Sequence, residues 1–201
     1  MFPTPATDFA EEYMFGDQRF AARRSDVLTY VSDPLPEDLT ILGPVSAHLQ
    51  AATTGSDADF DVKVIDVFHG TEGASSSAVQ LQAKHDQLPI PGDNTAGYQQ
   101  LVRGEPMRAR FRNSWEKPEA MRPSQITPVN FAMPDVNYTF LKGHRIMVQI
   151  QSSWFPMIDL NPQSFVNTAT AKPSDFVKAM QRVYHSPAAA SSISIGVLPG
   201  H

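Results

Sequence analysis

The stretch Asn137–Pro156 constrains this chain more than any other. In it Ile146, Val148 and Ile150 alternate with Met147, Gln149 and Gln151. A period of two is the spacing of a β-strand with one buried face, so the first three residues are expected in a core and the second three away from it. Lys142-Gly143-His144 before the strand reads as a tight turn in which glycine supplies the backbone freedom. Phe140 on one side and Trp154-Phe155 on the other are bulky enough to close the ends of a core. Pro156 cannot donate to a ladder and is expected to stop the strand. The whole predicts a hairpin-like unit at the centre of a sheet, with no chemistry of its own.

Seventeen prolines and eleven glycines spread along 201 residues fit many short strands better than long helices. The formal net charge of -5 carries no basic stripe, which argues against nucleic-acid binding. No apolar run approaches the roughly 18 residues a membrane span needs. The absence of cysteine excludes disulfides, thiolate metal sites and a cysteine nucleophile, and leaves the compartment open. Met1-Phe2-Pro3-Thr4-Pro5 lacks the basic-then-apolar pattern of a signal peptide.

Residues 1–24 read as a lead-in anchored by Phe9, Tyr13, Phe15 and Phe20, and residues 25–201 as a single domain. Val27–Val31, Leu39–Leu42, Val45–Ala51 and Phe60–Phe68 are predicted strands. Gly43-Pro44 separates the second from the third, and the fourth is apolar on both faces and so central. Gly70–Gly97 reads as a long surface loop of the kind that often carries function. Tyr98–Val102 and Met107–Phe111 are two further strands, and Ile126–Met133 is an edge or bulged one because of Pro128. Ser174–Met180 is expected to form one or two helical turns capped by Ser174. Val183–His185 and Ile193–Val197 supply the last strands. Nine or ten strands with irregular connections predict an all-β fold, an antiparallel β-sandwich of jelly-roll type.

Motifs of catalysis are sparse. The Gly-x-Ser-x-Gly nucleophile elbow is absent. Ser114-Trp115-Glu116-Lys117 matches Ser-x-x-Lys, but the partner motifs are missing. Pro118 also disfavours the helix that would align Ser114 with Lys117, so a structural turn is the expectation. Asp57, Asp59 and Asp61 alternate as the first ligands of a calcium loop do, but Val62 and Phe68 stand where its glycine and glutamate belong. The competing reading is a turn acid, a buried or paired Asp59 and an exposed Asp61. Arg108, Arg110 and Arg112 would share one strand face, there to bind an anion or a partner's acids, or to pair with surface acids. The six histidines show no zinc-site spacing.

A series of motifs carries a resemblance. Asp26-Val27-Leu28-Thr29-Tyr30, Gly43-Pro44-Val45, Thr54-Gly55-Ser56-Asp57-Ala58-Asp59-Phe60 and Lys63-Val64-Ile65-Asp66-Val67 come first. Gly97-Tyr98-Gln99, Arg110–Pro118 and Phe140 with Lys142–Ile146 follow. In this order they resemble the C-terminal domain of the CocE/NonD hydrolases, the superfamily of the Xaa-Pro dipeptidyl-peptidases. Gln151–Pro156 with Asp159 and Asn161-Pro162-Gln163, and the ending Gln181–Ser186, are most similar to the α-amino-acid ester hydrolase and glutaryl cephalosporin acylase branch. The resemblance runs from about Asp17 to Pro199. It implies a jelly-roll β-sandwich, like a galactose-binding domain, that packs on an α/β-hydrolase domain and walls its active-site cleft.

In that family the Ser-His-Asp triad lies in the preceding hydrolase domain, which carries out acyl transfer to water through an acyl-serine. No residue here matches a triad position, so the resemblance assigns no catalytic, cofactor-binding or metal-binding residue and no cofactor. The partners it implies are the hydrolase domain, in cis or in trans, and a second copy of the chain in a homo-oligomer; nucleic acid and membrane are not among them. Leu160 departs from the family, which often has a basic residue there. The rival expectation is a free-standing carbohydrate- or ligand-binding sandwich. It needs an exposed aromatic platform, for which Trp115, Tyr98 and Trp154 are the candidates, Trp154 fitting a core better.

Overall fold

The computed structural model describes residues 16–69 and 97–199, and within them ten strands form two facing antiparallel sheets and a small hairpin. The strands are β1 (Leu28–Val31), β2 (Leu39–Thr53), β3 (Asp59–Val67), β4 (Gln99–Arg108) and β5 (Thr127–Phe140). They continue with β6 (Arg145–Gln151), β7 (Gln181–Val183), β8 (His185–Ser186), β9 (Ala189–Ala190) and β10 (Ser192–Val197). The first sheet has the order β1-β6-β3-β4; the second has β10-β2-β5, with β7 also pairing to β2. This is a β-sandwich of the jelly-roll class, and among the described residues a short helix, α1 (Arg19–Ala22), leads into it.

The core lies between the sheets and follows the period of two. Ile41, Val45, Ala47, Leu49 and Ala51 of β2 face Phe60, Val62 and Val64 of β3, with Val129, Phe131 and Met133 of β5 and Ile150 of β6 beside them. Each such side chain removed from water contributes about 1.5–3 kcal/mol. Ile146 and Val148 pack against this cluster, as their alternation with Met147, Gln149 and Gln151 predicts.

Several boundaries differ from the sequence reading. Gly43-Pro44 does not end a strand. It sits in a bulge of β2, where Gly43 takes φ +93° and the register with β5 shifts between Gly43 and Val45. A proline without an N–H is tolerated where the ladder is already interrupted. Likewise Tyr98–Val102 and Met107–Phe111 are not two strands. β4 runs through Pro106 because it is an edge strand, and Ala109–Phe111 turns as a 3-10 helix. Residues 174–180 form a single 3-10 turn, Pro173–Asp175, which Ser174 does not cap.

The largest correction concerns the organising stretch. β5 and β6 are not a hairpin: β5 pairs with β2 in one sheet, and β6 pairs with β1 and β3 in the other. The turn between them, with Gly143 at φ +83°, carries the chain across the sandwich. β6 does lie inside its sheet, as expected. The face of β6 away from the core is also not exposed: Met147, Gln149 and Gln151 are buried there. The Gly70–Gly97 loop, apart from Gly97, and the lead-in anchors Phe9, Tyr13 and Phe15 lie outside the described residues.

Candidate functional site: a buried acid–arginine–amide brace

The turn Thr54-Gly55-Ser56-Asp57 joins β2 to β3 and delivers two acids into the protein. Asp57 and Asp59 are both buried, and a buried carboxylate needs a partner. Arg110 Nε donates to Asp57 Oδ2 at 2.8 Å. Arg108 grips Asp59 with two bonds, Nε to Oδ1 at 3.1 Å and Nη2 to Oδ2 at 3.2 Å. Asn161 lies between them, its Nδ2 donating to Asp57 Oδ2 at 3.1 Å and to Asp59 Oδ1 at 2.7 Å. Burial pushes the Asp59 carboxyl up, against the pull of Asn161 and Arg108 toward the ionised form.

The brace fixes the loop that follows β6. The same arginines donate to carbonyls of that loop, Arg108 Nη2 to Asp159 at 3.1 Å and Arg110 Nη1 to Val166 at 2.7 Å. Asn161 Oδ1 accepts from the Gln163 N–H at 2.7 Å. Ser56 N–H donates to the Gln163 carbonyl at 3.1 Å, and Ser56 Oγ accepts from Phe165 N–H at 2.9 Å. A Cβ on Gly55 would drive into the Gln163 carbonyl, so the turn has to be glycine. The fixed loop is tied to the next one, Val177 N–H to the Pro162 carbonyl at 3.0 Å. Together they present Phe155, Leu160, Phe165, Phe176, Val177 and Met180 to solvent.

The sequence candidates fall into place around this brace. The alternating acids are not the start of a cation loop. Asp57 and Asp59 hold arginines, and Asp61 is fully buried rather than exposed, because α1 and the loop carrying Trp154 cover the outer face of β3. Among the described residues no group of three or more metal-ligating side chains converges. The three arginines do not share a strand face, since β4 ends at Arg108. Arg108 and Arg110 meet buried acids rather than surface ones. Arg112 donates to the carbonyls of Ala109, Glu119 and Ala120 and pairs with Glu119.

Ser114 caps a turn, its Oγ accepting from the N–H groups of Glu116 and Lys117. Sequence reasoning missed Asp66, buried with His144 Nδ1 and the Tyr138 hydroxyl each 2.9 Å from its Oδ2. That cluster pins the β5–β6 turn to the end of β3. Burial and the Asp66 charge push the Tyr138 hydroxyl well above its usual range.

Of the aromatic candidates, Trp154 and Tyr98 are buried, and only Trp115 is open, 71% exposed and stacked on Phe111 at 5.8 Å. A single indole is not a platform, and the carbohydrate-module expectation is not favoured.

A two-sheet antiparallel frame with buried charges that hold its loops in place defines the class, a β-sandwich domain. The chain belongs to the family of X-Pro dipeptidyl-peptidase C-terminal non-catalytic domains, which matches residues 3–194. It is 29% identical over 182 residues to cocaine esterase of Rhodococcus sp. (strain MB1 Bresler), a match covering 90% of this chain and 27% of that protein. It superposes on an aminopeptidase of a marine sediment Thaumarchaeota archaeon with a TM-score of 0.80 at 37% identity. On an α-amino acid ester hydrolase the TM-score is 0.78 at 43% identity. Both superpositions cover 92% of this chain and 28% of the other. The chain therefore spans little more than a quarter of the length of these relatives.

Proposed function

We propose that this chain is the C-terminal sandwich of a CocE/NonD-type serine hydrolase, that it packs on an α/β-hydrolase domain, and that it supports that domain's active-site cleft. In this reading residues 25–201 form one jelly-roll unit and residues 1–24 lead into it. The reaction of the assembled enzyme is acyl transfer from an ester or amide to water, through an acyl-serine held in the hydrolase domain. This chain contributes no triad residue. The observation that carries the reading is the brace. Asp57, Asp59, Arg110 and Asn161 are motif residues of the sequence resemblance, Arg108 joins them, and what they fix is an exposed apolar loop surface. Exposed apolar area of this kind marks an interaction site. The test is direct: the purified chain leaves nitrophenyl acetate at its background hydrolysis rate. A saturable rate abolished by one Ser→Ala change would overturn it.

A further inference from the structure

Asp59, Asp61 and Lys63 follow one another on the outer face of β3, and all three are buried. Lys63 Nζ donates to Gln18 Oε1 at 2.9 Å and lies 4.3 Å from the centre of the Trp154 ring. One ammonium thus ties two segments, the lead-in and the loop after β6, to the sheet. Gly104 of β4 makes room for the indole, since a Cβ there would come within 2.6 Å of it. Asp61 sits two residues from Lys63 on the same face. Neither of its carboxylate oxygens has a donor among the described residues. Directly across on β6, Gln151 is the partner of Asp61 and Gln149 the partner of Lys63. Each glutamine has a buried side-chain oxygen that also lacks a donor. Their amide nitrogens turn elsewhere, to the Ser153 carbonyl at 2.8 Å and to Met147 Sδ at 3.5 Å. An ionised carboxylate beside two lone carbonyl oxygens leaves every one of these acceptors unpaired. A carboxylic acid supplies the missing O–H.

We propose that Asp61 is held as a neutral acid donating to the side-chain carbonyl of Gln151 or Gln149, and that loss of this proton turns Lys63 away from Gln18 and Trp154 to the new carboxylate, opening the side-chain clasp it makes with those two residues. The proton leaves to solvent, and a lone ammonium becomes an ammonium–carboxylate pair. Burial pushes the Asp61 carboxyl up to about 8, and the Asp59 charge adds to it, while Lys63 and Arg108 pull the other way. Burial also brings Lys63 down to about 8, assisted by Arg24 and opposed by Asp61. The other charged groups facing the chamber are Asp59, engaged by Arg108 and Asn161, and Arg24, paired with Asp26. The clasp is a side-chain contact, separate from the backbone bond of Gln18 N–H to the Gln99 carbonyl at 3.0 Å.

The experiment uses the full chain carrying Trp115→Phe, which leaves Trp154 as the sole indole of the two. Trp154 fluorescence and the Asp61 carboxyl carbon resonance are followed from about pH 3 to about pH 10. Both are expected to move together with one midpoint near 8. Asp61→Asn, added to the same chain, is expected to shift the Trp154 transition to lower pH, since Lys63 loses the Asp61 charge that favours its ammonium, and Lys63→Met to hold the Trp154 signal flat while raising the Asp61 midpoint. An Asp61 resonance that titrates near the ordinary value of about 4 overturns the proposal. So does a Trp154 transition whose midpoint Asp61→Asn leaves unchanged. If Asp61→Asn does not fold, the carboxyl titration in the Trp115→Phe chain decides alone.

Discussion

Arg110 and Asp57 form an ion pair almost sealed from solvent, with Nε 2.8 Å from Oδ2, and the same guanidinium holds the Val166 carbonyl at 2.7 Å. One side chain therefore couples the β2–β3 turn to the loop after β6. Removing the arginine strands the acid. Arg110→Met is expected to cost about 3–5 kcal/mol in urea unfolding, because an uncompensated buried charge remains. Asn161→Ala is expected to cost about 1–3 kcal/mol through the donors it withdraws from Asp57 and Asp59. Adding Asp57→Leu to Arg110→Met should recover part of the loss. A recovery of nothing, or single losses under about 0.5 kcal/mol, would show that the pair does not brace the loop.

Gly55 makes the closest backbone approach in the brace. Gly55→Ala sets a Cβ against the Gln163 carbonyl, and backbone does not yield as a flexible side chain does. A loss of about 1–3 kcal/mol is expected, the usual cost of overpacking. Amide exchange should quicken at Gln163 and Phe165, whose neighbours in the brace are displaced. An unchanged exchange pattern would place the strain elsewhere.

The two sheets treat their outer faces differently. Gln149 on the first sheet is buried, while Asn130 on the second is exposed. Ile150→Ala is expected to cost about 2–4 kcal/mol through lost burial and a cavity. Asn130→Ala should stay within about 0.5 kcal/mol. Gln149→Ala should fall clearly above the Asn130 value, since a second layer covers it. Equal values for Gln149 and Asn130 would contradict the covered face.

The outer chamber also sets a pH dependence of stability. Asp61 binds its proton up to about 8 in the folded chain, against an ordinary value of 3.8. Between those values the folded state holds the extra proton, so this group's stabilisation is complete below about 4 and is lost as pH rises toward 8. Lys63 works in the opposite direction: folding lowers it from 10.5 to about 8, so stability returns as pH rises between those values. Asp61→Asn is expected to flatten the fall between about pH 4 and pH 8 and leave the alkaline rise. A variant whose urea midpoint falls with pH as steeply as the parent would assign the slope to other groups.

Local alternation made the core strands readable. β6 sits where the alternation of Ile146, Val148 and Ile150 places it, because burying one face demands period two, while β1 and β3 sit at the apolar runs Val27–Val31 and Phe60–Phe68. Strand pairing was not readable at Lys142-Gly143-His144, since a tight turn serves a hairpin and a sheet-to-sheet crossing equally well. Gly43-Pro44 reads as a strand end in the sequence because a proline's tolerance depends on bulges and edges, which are tertiary facts. The brace was half legible. Pairing of Asp59 follows from its spacing in a strand, but its arginine and Asn161 are about 50 and 102 residues away. Asp61 misled because its cover comes from the lead-in and the Trp154 loop, neither of which the alternation of β3 reveals.

The central claim is that this sandwich supports a serine-hydrolase domain. The decisive measurement is sedimentation velocity of the chain at several concentrations, alone and with an α/β-hydrolase domain of the CocE/NonD type supplied separately. The account predicts a complex with the hydrolase domain that weakens when Leu160 and Phe165, both on the braced loop, are changed to Asp. A chain that sediments as a monomer at every concentration and ignores the hydrolase domain would contradict it.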